Sequence, residues 1–211
     1  MGTLRDDESK RKDAKARIKA LWGELLDCDA DLALKTVEWY LEKTNINKKH
    51  LKEMQLRKQL KYLEASSPRD EEKIRETKKD IKQTLPPEYP DTIFSGDILH
   101  VKFGIGVGVE LSDGHYAIIL SRKGSNFLIA PLTSTQQPDG QNTVFFESLG
   151  LPGERPGQKT YVNFGQIRYV HFRRIEKIIG VPDGKKQVPK ERVQEILDKF
   201  REIVQNGTRW P

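Results

Sequence analysis

The chain has 211 residues, 32% of them charged and 36% hydrophobic, with a net charge of +6, enough for one large domain or two small ones beneath a highly charged surface. Its one cysteine, Cys28, excludes an internal disulfide framework and a multi-cysteine zinc site. No run approaches the ~18 uninterrupted apolar residues of a membrane span, and "MGTLRDDESKRKDAKARIKA" lacks the apolar core of a secretory signal.

The basic charge is spread along the chain. The first 90 residues carry 21 Lys and Arg against 18 Asp and Glu, and the remainder carry 16 against 13. A basic balance favours polyanions such as RNA or DNA without selecting one. With so little cysteine, a soluble protein of a reducing cytoplasm is expected, with no cofactor and no membrane.

Residues 1–84 read as a helical domain. Ala14, Ile18, Leu21 and Leu25 follow helical spacing, with Trp22 widening the stripe. A second helix is expected after Asp29 or Asp31, carrying Leu34, Val37, Tyr40 and Leu41. Asn47 suits the cap of a third, with Leu56, Leu60 and Leu63 on one face. In "SSPRDEE" Ser67 can cap a fourth helix, Pro68 fits its first position, and Asp70, Glu71 and Glu72 favour its positive end. Ile74, Ile81 and Leu85 give that helix a thin apolar face.

"LPPEYPDTIFS", residues 85–95, stops the helical pattern and reads as a Pro-rich linker. From 96 to 211 the period becomes strand-like. "DILHVKF", "HYAIILS", "NFLIAPL", "NTVFF" and "KTYVNF" are short runs rich in β-branched and aromatic residues, separated by Gly, Asp, Asn and Pro. Such short, closely spaced strands predict a small β-barrel, and the fold class is α+β. A C-terminal amphipathic helix is expected to open at Pro189, bearing Val193, Ile196, Leu197, Phe200, Ile203 and Val204, with Asn206-Gly207 as its cap.

"FGIGVGVELSDGHYAIILS", residues 103–121, invites a phosphate-cradle reading. A dinucleotide fingerprint needs G-x-G-x-x-G leading from a strand into a helix. Here Gly104, Gly106 and Gly108 lead into another strand, and neither a G-K-[ST] ending nor a kinase-type V-A-I-K run follows. The glycines read instead as a bendable connection between strands.

A wider set of elements resembles the MazF/PemK toxins of bacterial type II toxin–antitoxin systems. Gly96-Asp97-Ile98 matches their opening "GDI" strand, and Gly108-Val109-Glu110 their G-x-E loop. Pro131-Leu132-Thr133-Ser134 matches "P-[LI]-T-S". Gln166-Ile167-Arg168 and the basic Arg173-Arg174-Ile175 match their last strands. The resemblance covers about residues 95–205 and none of the helical part. It implies an SH3-like (CcdB/MazF/PemK-like) barrel, commonly a homodimer. It also implies metal-independent cleavage of single-stranded RNA and inhibition by a cognate antitoxin.

Such cleavage needs a base for the 2′-hydroxyl proton, an acid for the leaving oxygen, and donors for the charged phosphorane. Two departures from the family pattern bear on this. His115-Tyr116 stands where most members have Arg-Pro, and His171 where many place an acidic residue. An imidazole can exchange protons near neutral pH. The expectation is that His115 and His171 share the acid and base roles while Arg168 and Thr133 hold the scissile phosphate. Glu110, Ser134, Gln166, Arg173 and Arg174 are expected to contact RNA. Tyr169 and Phe172 are candidates for base stacking, with at least one in the core. His50 and His100 are read as structural or solvent-facing. A second reading remains open, a non-catalytic regulator using the same barrel to bind nucleic acid or protein. A gyrase-directed toxin is a more distant third. The helical part reads as a packed bundle, with RNA docking, dimerisation or a fused antitoxin segment as alternatives.

Overall fold

The computed structural model describes residues 3–86, 88–106, 110–136 and 143–206. They form two compact units, one ending at Lys48 and one beginning at Lys49.

The first unit contains α1 (Glu8–Leu26) and the start of α2 (Ala30–Ala65). Asp7 caps α1 by accepting the Lys10 amide at 3.0 Å, and the Asp29 carboxylate accepts the amides of Asp31 and Leu32 to begin α2. No residue of α1 is buried. Trp22, Leu25, Leu26, Ala33, Leu34 and Val37 line an apolar cavity of about 340 Å³ within this unit.

The expected break at Asn47 does not occur. No Gly or Pro falls between residues 30 and 65, and α2 runs through in 36 residues; an interior Asn costs only a few tenths of a kcal/mol there. The next helix, α3 (Glu71–Gln83), also starts later than Ser67 and Pro68 predict. Asp70 is the cap, its carboxylate accepting the Lys73 amide at 3.0 Å, so the acidic first turn is Glu71 and Glu72. Lys78 pairs with Glu64 at 3.0 Å, joining α3 to α2.

The second unit is built on an antiparallel sheet: β1 (Asp97–Gly104), β2 (Asp113–Lys123), β3 (Asn126–Thr133), β4 (Phe145–Phe146), β5 (Thr160–Val162), β6 (Arg168–His171), β7 (Ile175–Glu176) and β8 (Lys186–Gln187). Pairing follows the order β4-β5-β3-β2-β1-β7, with β6 also on β3 and β8 also on β1. Among the described residues this path is open; β4 and β7 end it without pairing to each other. Arg173 and Arg174, expected on a strand, instead occupy a 3-10 turn over Phe172–Arg174.

Strand alternation divides the core into two layers. On β2, Ile118 and Leu120 join a cluster with Ile98, Leu132, Val162 and Ile196, whereas Ala117 and Ile119 join Leu99, Val101, Phe127 and Ile175. The helix α4 (Lys190–Gln205) covers the first layer through Val193 and Ile196, with Leu197, Phe200 and Ile203 alongside. Val204, expected in this stripe, is 64% exposed. Burying a side chain such as Ile196 contributes about 1.5–3 kcal/mol. Leu85, Tyr89 and Ile93, from the proline-rich stretch, pack against the second layer.

The "GDI" segment is architectural. Gly96 has φ +90°, and a Cβ there would lie 2.7 Å from the Val188 carbonyl oxygen, so only glycine fits. Asp97 is wholly buried and accepts hydrogen bonds from the Phe94 amide and from Lys185 Nζ, both at 2.8 Å. Ile98 enters the first core layer.

Candidate functional site

β2 and β3 run side by side, Ala117 opposite Pro131. His115 lies two residues before Ala117 on β2 and pairs with Val101, and Thr133 lies two residues beyond Pro131 on β3 and pairs with Tyr161. The two line one cavity of about 350 Å³ together with His100, Tyr116, Ser134 and Glu154, a size at the lower end of small-molecule sites.

His115 is half-buried, and its Nε2 lies 2.8 Å from the Ser112 carbonyl. A carbonyl only accepts, so Nε2 carries a proton and Nδ1 is the nitrogen left for chemistry. Thr133 Oγ1 accepts the Thr135 amide at 3.1 Å, which leaves its O–H to donate elsewhere.

Arg168 joins this group through an aromatic ring. Its guanidinium carbon sits 4.8 Å from the centre of Phe103, and the His115 ring meets the same Phe103 edge-on at 5.9 Å. Arg168 Nε and Nη2 are enclosed and have no hydrogen-bond partner among the described residues. Two unpaired guanidinium nitrogens in one plane match the geometry of a carboxylate or phosphate.

His171 is placed elsewhere. It pairs with Asn126, the first residue of β3, while Thr133 is the last; seven strand residues separate them by roughly 23 Å. Its ring packs against His50 at 4.8 Å and Phe172 at 4.6 Å, and Nδ1 accepts the Arg173 amide at 3.4 Å. Burial holds the His171 imidazole below its ordinary pKa, with the neighbouring His50 and Arg173 acting in the same direction. The expected pairing of His115 with His171 across one phosphate therefore fails on distance.

The residues expected to touch RNA also divide. Ser134 lines the cavity and is exposed. Gln166 lies on the 3-10 turn Phe164–Gln166, its amide bonded to the Asn163 carbonyl at 3.2 Å, consistent with bracing that turn. Glu110 is exposed at the base of the loop, its backbone closing on Gly106; Gly108 and Val109 lie outside the described residues. Arg173 is 3% exposed, and its guanidinium binds Glu53 Oε2 at 2.7 Å, Thr84 Oγ1 at 3.0 Å and the Thr84 carbonyl. Arg174 spends its guanidinium on the Lys102 carbonyl at 2.7 Å and on the Phe103 carbonyl. Both are internal braces. Tyr169 is 53% exposed and available for stacking, whereas Phe172 is core.

Three further residues line the cavity: His100, read from the sequence as structural or solvent-facing, Tyr116, marked there only as the neighbour of His115, and Glu154, which no pattern marked. His100 carries Glu176 beside it, Nδ1 to Oε2 at 3.4 Å. The Glu154 carboxylate accepts the amides of Leu149, Gly150 and Leu151 and the Thr160 hydroxyl, folding residues 149–154 into the cavity wall. Burial alone would raise the Glu154 carboxyl, but these hydrogen bonds outweigh it and hold the group below the usual carboxylate range.

A family model described as "PemK-like, MazF-like toxin of type II toxin-antitoxin system" matches residues 95–204, just over half of the chain. The chain belongs to this toxin family. No curated protein matches it significantly. The matched span contains every sheet strand and all but the last residue of α4. Within this PemK-like region the "P-L-T-S" element supplies the cavity with Thr133 and Ser134, while the "Q-I-R" element supplies Arg168 on the strand paired to β3. Among the described residues no helix is long and apolar enough to cross a membrane.

Proposed function

We propose that the protein is a toxin-type endoribonuclease that cuts single-stranded RNA, with the 2′-hydroxyl attacking the adjacent phosphate and no metal required. A cognate antitoxin holds it in check in the bacterial cytoplasm, and its PemK-like region is an SH3-like barrel working as a homodimer. The observation that carries this reading is that His115 and Thr133 line one cavity while Arg168 shares the Phe103 ring with His115. Family membership supplies the toxin class, and these three residues supply one proton-transfer group and the donors for the phosphate.

Arg168 and the Thr133 hydroxyl hold the non-bridging phosphate oxygens and stabilise the charge that grows on them. His115 Nδ1 exchanges a proton with the reacting sugar oxygens. RNA is selected because DNA has no 2′-hydroxyl to attack.

The purified full chain, given a long single-stranded RNA in EDTA, is expected to leave discrete fragments. His115→Ala should slow cleavage about 10²–10⁴-fold and Thr133→Ala about 10²–10³-fold. Tight RNA binding without cuts, or variants that cut at the parent rate, would overturn the reading in favour of a non-catalytic binding protein.

A further inference from the structure

The helices of this chain mix acids among their bases. On α1, Lys10, Lys12 and Arg17 pair with Asp7, Glu8 and Asp13, and at α3 Lys73 pairs with Asp70. The part of α2 that belongs to the second unit departs from this. Residues 49–63 hold five basic residues and one acid, Glu53. That acid is buried and taken up by Arg57 and Arg173. Lys52, Lys58 and Lys61 are exposed and have no ion-pair partner among the described residues.

The helical period separates two faces here. Glu53, Leu56, Leu60 and Leu63 recur at intervals of three and four, on the face that meets Arg173. Lys52, Gln55, Gln59 and Tyr62 recur on the opposite side, with Leu51 and Lys58 in the same stripe. All six side chains of the stripe are exposed, Tyr62 to 74%. At 1.5 Å per residue it runs about 15 Å from Lys52 to Tyr62. It carries positive charge, two amides and an aromatic ring, and no acid. Just before the stripe, His50 packs on His171, at the end of the sheet where His171 pairs with Asn126. Along β3, roughly 23 Å separates that end from Thr133.

We infer that this face of α2 is a second binding surface for single-stranded RNA, remote from the cavity; that the polyanion is the cavity's own substrate rests on the endoribonuclease reading. Lys52 and Lys58 face phosphates and release their counterions on binding. Tyr62 offers its ring to a base, and because every base has a π-face the surface adds affinity without reading sequence. Gln55 and Gln59 supply hydrogen-bond donors and acceptors between these anchors. An acidic peptide could use the lysines but has no flat base to set on the tyrosine, so RNA is the better fit. At a stacked rise of about 3.4 Å, 23 Å takes about seven nucleotides, and only a strand longer than that reaches both places.

The test is fluorescence anisotropy of the full chain with labelled 2′-O-methyl RNAs of about 5 and about 20 nucleotides, which have no free 2′-hydroxyl to attack. The variants are Lys52→Gln with Lys58→Gln, Tyr62→Ala and Tyr62→Phe, each checked for an unchanged thermal melt. Lys10→Gln with Lys12→Gln is the control of equal charge. The parent should bind the long strand more tightly than the short one. The Lys52/Lys58 variant should make the salt dependence of long-strand binding shallower by about 1.4, two contacts at about 0.7 each, and the control should not. Tyr62→Ala should weaken that binding at least about fivefold, and Tyr62→Phe should restore it. Folded variants that keep the parent's affinity and salt slope, or a control that lowers the slope equally, overturn the inference. Poly-glutamate bound as tightly as the long RNA assigns the face to an acidic protein and overturns it too. Cutting of unmodified RNA by the parent is scored separately. Dependence on the α2 stripe without cutting overturns the endoribonuclease reading and leaves the RNA-binding face standing, whereas cutting without that dependence overturns this inference alone.

Discussion

Arg173 lies in the stretch whose basic residues invite an RNA-binding reading, and its replacement by Ala tests whether it holds phosphate or the fold. Its side chain is 1% exposed and that of Glu53 6%. Removing the guanidinium takes away the 2.7 Å pair with Glu53 and two bonds to Thr84, leaving Glu53 with only Arg57, whose side chain is 63% exposed. Breaking one side of a buried ion pair costs about 3–5 kcal/mol. At about 2–4 °C per kcal/mol for a unit of this size, the melting temperature should fall by roughly 6–20 °C. Calorimetric melts of Arg173→Ala, Glu53→Gln and the double variant give the coupling directly. The pH dependence is a second readout. Burial pushes the Glu53 carboxyl up, but hydrogen bonds from Arg57 and Arg173 outweigh it and hold it below its ordinary value. Its stabilisation is therefore full above the unfolded carboxylate pKa of about 4.3 and lost as pH falls through the folded value. The acid-side loss should shrink in Glu53→Gln. A melt for Arg173→Ala within about 2 °C of the parent, with a salt slope for RNA binding lower by about one, would refute the internal role and restore the phosphate contact.

The other predictions concern the cavity. Glu154→Gln removes the ionised acceptor of three backbone amides and should cost about 1–3 kcal/mol, with faster hydrogen exchange at Leu149, Gly150 and Leu151; unchanged exchange would contradict it. Glu154 is also held below its ordinary pKa, so its contribution is present above the unfolded value and fades as pH drops through the folded one. Arg168→Lys keeps the charge but loses the planar fork. It should lower kcat/KM at least about tenfold, the scale of one lost charged hydrogen bond, whereas parent-like kinetics would remove Arg168 from the phosphate site.

The mixed helix-and-sheet class was legible because the hydrophobic period changes sharply after the prolines at 86, 87 and 90, although the compact units divide at Lys48 and Lys49, within α2. β1, β2 and β3 fall on the predicted runs, since alternating β-branched residues fill both core layers. Local cap signals were less reliable. Asn47 resembles a cap, yet nothing nearby stops α2, and Asp70 outcompeted Ser67 by bonding the Lys73 amide. Thr133 and His115 could be found because short motifs mark them. The separation of His115 from His171 could not, because it depends on which end of β3 each strand pairs with. Basic residues gave the poorest guide. Arg173 reads as a surface cation until Glu53, 120 residues earlier, is folded against it. Likewise His100 acquires a partner only through the β1–β7 pairing with Glu176.

The central claim, 2′-hydroxyl attack at a His115–Thr133–Arg168 site, is tested most directly by a chimaeric substrate. An RNA oligonucleotide containing one cleavage site is compared with the same oligonucleotide bearing a single 2′-deoxynucleotide on the 5′ side of the scissile bond. Cleavage of the first to a 2′,3′-cyclic phosphate and a 5′-hydroxyl, with the second intact, is the predicted result. Cutting of both substrates, or ends carrying a 5′-phosphate, would contradict it.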